Sequence, residues 1–77
     1  MSNELPTERY TSFELASVMA PNLSNEQLLT AFRSGNVAIA KTYIDESISD
    51  TKRKAVLDRY YDADRLLSSE LIKRVGK

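Results

Sequence analysis

LSNEQLLTAFRSGNVAIAKTYI, residues 23–44, is the stretch whose reading decides how many helices the chain makes. Ser24 stands where a helix cap is needed, and Gln27 three residues on closes a capping box, in which each side chain satisfies an open amide of the first turn. Leu23 and Leu28 flank that box at the spacing of a hydrophobic staple. The pattern therefore predicts a helix carrying Leu28, Leu29 and Phe32. Gly35 reads as its end, because glycine tolerates the left-handed backbone that closes many helices. A further helix is expected from about Val37 to Ser47, with Val37, Ala40, Ile44 and Ile48 on one stripe and Ile39 and Tyr43 beside it.

Toward the N-terminus, residues 1–10 are polar, contain Pro6 and show no period, so they read as a flexible arm ahead of a single helical domain over 11–77. Thr11 and Glu14 form a second capping box that starts a helix with Phe13, Ala16, Met19 and Ala20 on its apolar side. That helix should stop near Ala20, since Pro21 disfavours helical geometry in the residue before it. Toward the C-terminus, SDTKRKAVLDRYYDADRLLSSELIKRVG, residues 49–76, reads as one long helix capped by Ser49 and stopped by Gly76. At about 100° per residue, Val56, Leu57, Tyr60, Ala63, Leu67, Leu71 and Val75 share a broad arc, and Lys54, Asp58, Asp62, Arg65 and Ser69 lie opposite. One antiparallel neighbour would not cover that arc. Either several helices pack around it or part of it meets a partner. The fold class that follows is all-α, a small bundle of three to four helices with a long amphipathic C-terminal helix.

Composition narrows the chemistry. The chain has 77 residues, no cysteine and no histidine, so disulfides, thiolate metal sites and the usual general base are all missing. A non-enzyme with no cofactor and no small-molecule substrate is the expectation. No apolar run approaches the roughly 18–20 residues that span a bilayer, and MSNELPTERY lacks the layout of a signal peptide, so a cytoplasmic protein with no membrane partner is expected. The net charge is zero but unevenly laid out. Residues 1–48 hold six acids and three bases, net −3, and residues 49–77 hold five acids and eight bases, net +3. The second part therefore merits reading as a contact surface.

Three features there bear on function. Lys52, Arg53 and Lys54 sit in the opening turn of the long helix, where the backbone dipole disfavours cations. They are a candidate contact for an anion or for nucleic acid, although Asp50 stands in the favourable acid-first order to offset the penalty locally. Residues 27–44 also match a helix-turn-helix at Ala31 and Gly35, but Asn36 and Lys41 occupy positions that should be apolar. Asp58 and Asp62 share a helix face, too few oxygens for a hard cation. Asp64 falls inside the apolar arc, where an unpaired carboxylate is costly. A tyrosine hydroxyl or an arginine should meet it, or that part of the arc is a wet interface; Arg74 raises the same question. Tyr60, Tyr61, Asp64, Leu67, Leu71 and Arg74 are thus the expected partner-binding residues, with tyrosines common at interfaces.

LLTAFRSGNVAIAKTYI, residues 28–44, resembles the helix pair of an ankyrin repeat in its alanine, its GN turn and the lysine after it. The opening turn signature of such repeats is absent and no second copy follows, so no binding residues are carried over. The functional expectation is a small non-enzymatic helical regulator that binds another protein or itself through the C-terminal helix. The alternative is a nucleic-acid-binding regulator that uses the helical hairpin and the basic start of that helix.

Overall fold

The computed structural model describes residues 11–76. The N-terminal arm expected over 1–10 lies outside them. The described residues form three α-helices, α1 (Ser12–Ser17), α2 (Asn25–Ile44) and α3 (Asp50–Val75), with a 3-10 turn at Ala20–Asn22 between the first two. No strand occurs among them. The fold is all-α.

The helix starts follow from their capping chemistry. The Thr11 amide donates to Glu14 Oε1 at 2.9 Å, and the Glu14 amide donates to Thr11 Oγ1 at 3.4 Å. At α2 the Ser24 amide meets Gln27 Oε1 at 2.9 Å and the Gln27 amide meets Ser24 Oγ at 3.1 Å. Ser49 Oγ accepts from the Lys52 amide at 3.1 Å and opens α3. Pro21 stands in the first turn of the 3-10 segment, where its missing N–H leaves no bond unmade.

The break expected at Gly35 is not there. α2 runs through it for 20 residues, so the GN pair is no turn, and neither a helix-turn-helix nor an ankyrin-like pair is formed. Gly35 is buried for a different reason: a β-carbon there would stand 2.8 Å from Cδ2 and 2.9 Å from Cε2 of Phe13. The missing side chain seats an aromatic ring from α1. Continuity also turns the second half of α2 onto another face than the sequence stripe implied. Ile39 and Thr42 are buried, in line with Leu28, Ala31 and Gly35, whereas Val37 and Ile44 are 53% and 77% exposed.

The core is small. Phe13, Ala20, Leu28, Ala31, Ala63 and Leu67 are buried together, with Leu23, Phe32, Tyr60 and Leu71 packed around them. Phe13 meets Tyr60 edge-on, centroids 5.1 Å apart, an arrangement that suits the ring quadrupoles.

Three arginines of α3 then fix the other elements. Arg53 Nε donates to the Thr42 carbonyl at 3.2 Å and its Nη2 to the Asp45 carbonyl, so it closes the last turn of α2. Arg59 grips Glu14 of α1 with two bonds of 3.0 Å, Nε to Oε2 and Nη2 to Oε1. Arg74 donates to the Ala20 and Leu23 carbonyls at 3.1 and 2.7 Å and to Asn25 Oδ1 at 2.8 Å, while Glu70 holds its Nε at 2.9 Å. Because the start of α3 meets the end of α2 and its end meets the start, the two long helices are antiparallel.

Candidate interaction face

With Leu67 pointing at the core, a rotation of 100° per residue carries Arg59, Ala63 and Leu66 to one flank of α3 and Leu57, Tyr61, Asp64 and Ser68 to the other. On α2, Ala31, Ser34 and Ala38 flank Gly35 on one side, and Phe32, Asn36 and Tyr43 on the other. α1 takes the first flank of both helices. Leu15 and Val18 line a depression with Arg59, Ala63 and Leu66, and Phe13 and Ala16 line another with Gln27, Ala31 and Ser34. The second flank has no such cover among the described residues. A depression of about 390 Å3 on it is lined by Tyr43, Leu57 and Tyr61 with the charged Asp50, Arg53, Lys54 and Asp58, and includes no residue of α1.

The composition of this open side is unlike the rest of the surface. Asn25, Leu29, Phe32, Asn36 and Tyr43 of α2 face it, as do Leu57, Tyr61, Asp64, Ser68 and Leu71 of α3. Asp64 is the one carboxylate among those ten, but Asp50 and Arg53 in the first turn of α3 fall on the same flank and line its depression together with Lys54 and Asp58. Leu29, Tyr43 and Tyr61 are 42%, 55% and 41% exposed. Away from that charged end, the scarcity of charge with exposed tyrosines present is what distinguishes the core of a contact patch from ordinary surface.

Two polar features organise the face. The Tyr43 and Tyr61 hydroxyls share a hydrogen bond of 2.7 Å that bridges the helices. That bond to Tyr43 holds the Tyr61 phenol above its ordinary value of 10.0, with loss of hydration and the Tyr43 and Asp64 charges acting in the same sense. The Tyr61 phenol therefore stays neutral at physiological pH. Asp64 is half-buried, and its Oδ1 is shielded from solvent without a hydrogen-bond partner among the described residues. A buried lone oxygen of this kind costs about 1–3 kcal/mol until a donor reaches it.

The residues expected from the sequence divide between this face and the core. Tyr61 and Asp64 lie on the open side. Leu67 is fully buried in the chain's own core, Tyr60 is half-buried against it, and Leu71 packs on it from the edge of the open side. Arg74 is turned inward onto the start of α2. The basic triplet is split: Arg53 closes α2 and pairs with Asp50 at 2.7 Å, Lys54 stands 3.7 Å from Asp58, and Lys52 is exposed. Phe32, Asn36, Tyr43 and Leu57 were not singled out in the sequence as surface residues. Carrying the helical period through Gly35 would have aligned the first three.

Among the described residues no three acidic, histidine or cysteine side chains gather to hold a metal ion, and no helix is long and apolar enough to cross a membrane. In comparisons with protein-family models, curated proteins and solved structures, nothing matches this chain.

Proposed function

We propose that this chain is a small non-enzymatic helical regulator that acts by binding another polypeptide, a partner protein or a second copy of itself, through α3 and the flank of α2 beside it. The observation that carries the reading is the open side of the α2–α3 pair, where Leu29, Leu57 and the Tyr43–Tyr61 pair surround Asp64, with Asp50 and Arg53 at one end. Tyr61 and Asp64 would touch the partner directly, whereas Leu67, Leu71 and Arg74 would act by holding α3 straight beneath them. Binding to nucleic acid through Lys52, Arg53 and Lys54 has less support, because the Arg53 guanidinium is already committed to the end of α2.

A photo-activatable residue placed at Tyr61, on the open side, should give covalent adducts with a polypeptide in the native host. The same residue at Leu66, on the flank that α1 occupies, should not. Equal adducts from both positions, or none from Tyr61, would reject this face as the site of action.

A further inference from the structure

We propose that Tyr43 and Tyr61 are the site of an oxidative modification, in which a one-electron oxidant joins the two rings by a carbon–carbon bond and staples α2 to α3 within a single chain. The two residues are 18 positions apart, and their hydroxyls stand 2.7 Å from one another across the helix pair. Both side chains are exposed, so an oxidant reaches them from solvent. Coupling of two phenols at the carbons beside their hydroxyls gives a biphenol whose oxygens lie side by side and share a hydrogen bond. The fold therefore holds both oxygens in the relation that the coupled product keeps, and only the rings must turn toward one another. The staple needs no partner protein, and so goes beyond the interaction reading above.

The rest of the chain directs the oxidant to this pair. There is no tryptophan, cysteine or histidine, which leaves the tyrosines as the side chains that yield an electron most readily. Of the four, Tyr10 lies outside the described residues, and Tyr60 is half-buried with its ring edge-on to Phe13. In the reaction each phenol gives one electron to the oxidant and its hydroxyl proton to water. The two phenoxyl radicals pair their electrons in one bond between ring carbons, and the hydrogens those carbons carried move to the oxygens, which restores two phenols. The chain loses two hydrogens in all. A haem peroxidase supplied with hydrogen peroxide takes the two electrons and two protons and reduces one peroxide to two waters. A disulfide is closed to a chain without cysteine, whereas a phenol pair at contact distance offers the same kind of loop closure.

The test is to treat the full chain with a haem peroxidase and limiting hydrogen peroxide, then to read the intact mass, the blue fluorescence of the biphenol and the fragmentation of the digested product. Tethered residues see one another at millimolar effective concentration, so with the chain at about 10 µM the product within one chain should exceed linked pairs of chains by about a hundredfold. It should have the mass of one chain less two hydrogens, with Tyr43 joined to Tyr61. Oxidation of Met1 or Met19 adds oxygen instead and is told apart by mass. The Tm of the product should lie on the order of 10 °C above that of the untreated chain, because the link closes a loop in the unfolded state. Tyr43→Phe and Tyr61→Phe should each abolish the product with helix content by circular dichroism unchanged, and Tyr10→Phe and Tyr60→Phe should keep it. Wild type unfolded in urea should form it several-fold less, since the fold no longer holds the pair. A native chain that yields no such product, that links a different pair of tyrosines, or that couples equally well in urea overturns the proposal.

Discussion

Phe13 and Gly35, 22 positions apart in the chain, meet because one has a ring and the other has no side chain. Alanine is better than glycine inside a helix by about 1 kcal/mol. At this position the added carbon would fall 2.8 Å from a ring that is 2% exposed, so the ring and its packing must shift. Overpacking of that kind costs about 1–3 kcal/mol, so Gly35→Ala should lose about 1 kcal/mol net on chemical denaturation. In a Phe13→Leu background the clash is relieved, and the same substitution should become neutral or stabilising. This is also where the sequence was least legible. The capping residues Thr11, Ser24 and Ser49 act on amides three residues away, and local reading found all three. Gly35 answers to a ring in another helix, and no local rule distinguishes a glycine that stops a helix from one that admits a neighbour.

Glu14 shows the same difference of range within one side chain. Its bond to the Thr11 amide was readable; its pairing with Arg59, 45 residues on, was not. Burial pushes the Glu14 carboxyl up, but the Arg59 hydrogen bonds, those from Thr11 and the Arg59 charge outweigh it and hold the group below its ordinary 4.5. A folded-state value below the unfolded one contributes stability that is present above about pH 4.5 and is lost as pH falls through the lowered value. Glu14→Gln should therefore cost about 1–2 kcal/mol at neutral pH, less than a fully buried pair because Arg59 remains 40% exposed. The gap in Tm between variant and wild type should narrow as the pH is lowered below that point.

Along α3 the apolar arc holds at its centre and its start and is too wide only at its C-terminal end. Ala63 and Leu67 are buried, while Val75 is 83% exposed beyond the last turn that α2 can reach. α2 was misread from Gly35 onward, because its buried line uses Thr42, and a polar residue on an inner face hides the stripe. Thr42 is tolerated there since its hydroxyl donates to the Ala38 carbonyl at 2.8 Å. The charged residues of α3 were read as solvated or interfacial, yet Arg74 gathers two carbonyls, an amide oxygen and Glu70. A planar fork with five donors suits that set and an ammonium does not. Arg74→Lys should lose about 1–2 kcal/mol on thermal or chemical unfolding, and Arg74→Ala somewhat more, with Glu70 left largely buried beside the more distant Lys73. An Arg74→Lys variant as stable as wild type would show that the carbonyls need no fork.

For the molecule as a whole, the core is so small that one residue can decide folding. Leu67 is fully buried at the meeting of all three helices, and Leu67→Ala should cost about 2–5 kcal/mol, a large share of what a chain of this size holds. A loss under about 1 kcal/mol would place the packing centre elsewhere. The three arginines carry a further consequence, for the way the protein comes apart. Each closes another element from α3: the end of α2, the start of α1, and the junction ahead of α2. Opening any of those elements at its tied end while α3 keeps its place breaks hydrogen bonds to a guanidinium, about 1.5–3 kcal/mol each, whereas loss of α3 releases all of them at once. Fraying and partial unfolding are thereby tied to a single event. Amide exchange in denaturant should show α2 and α3 converging on one opening free energy instead of a ladder of separate ones, and Arg53→Ala should split that common value by freeing the last turn of α2 alone.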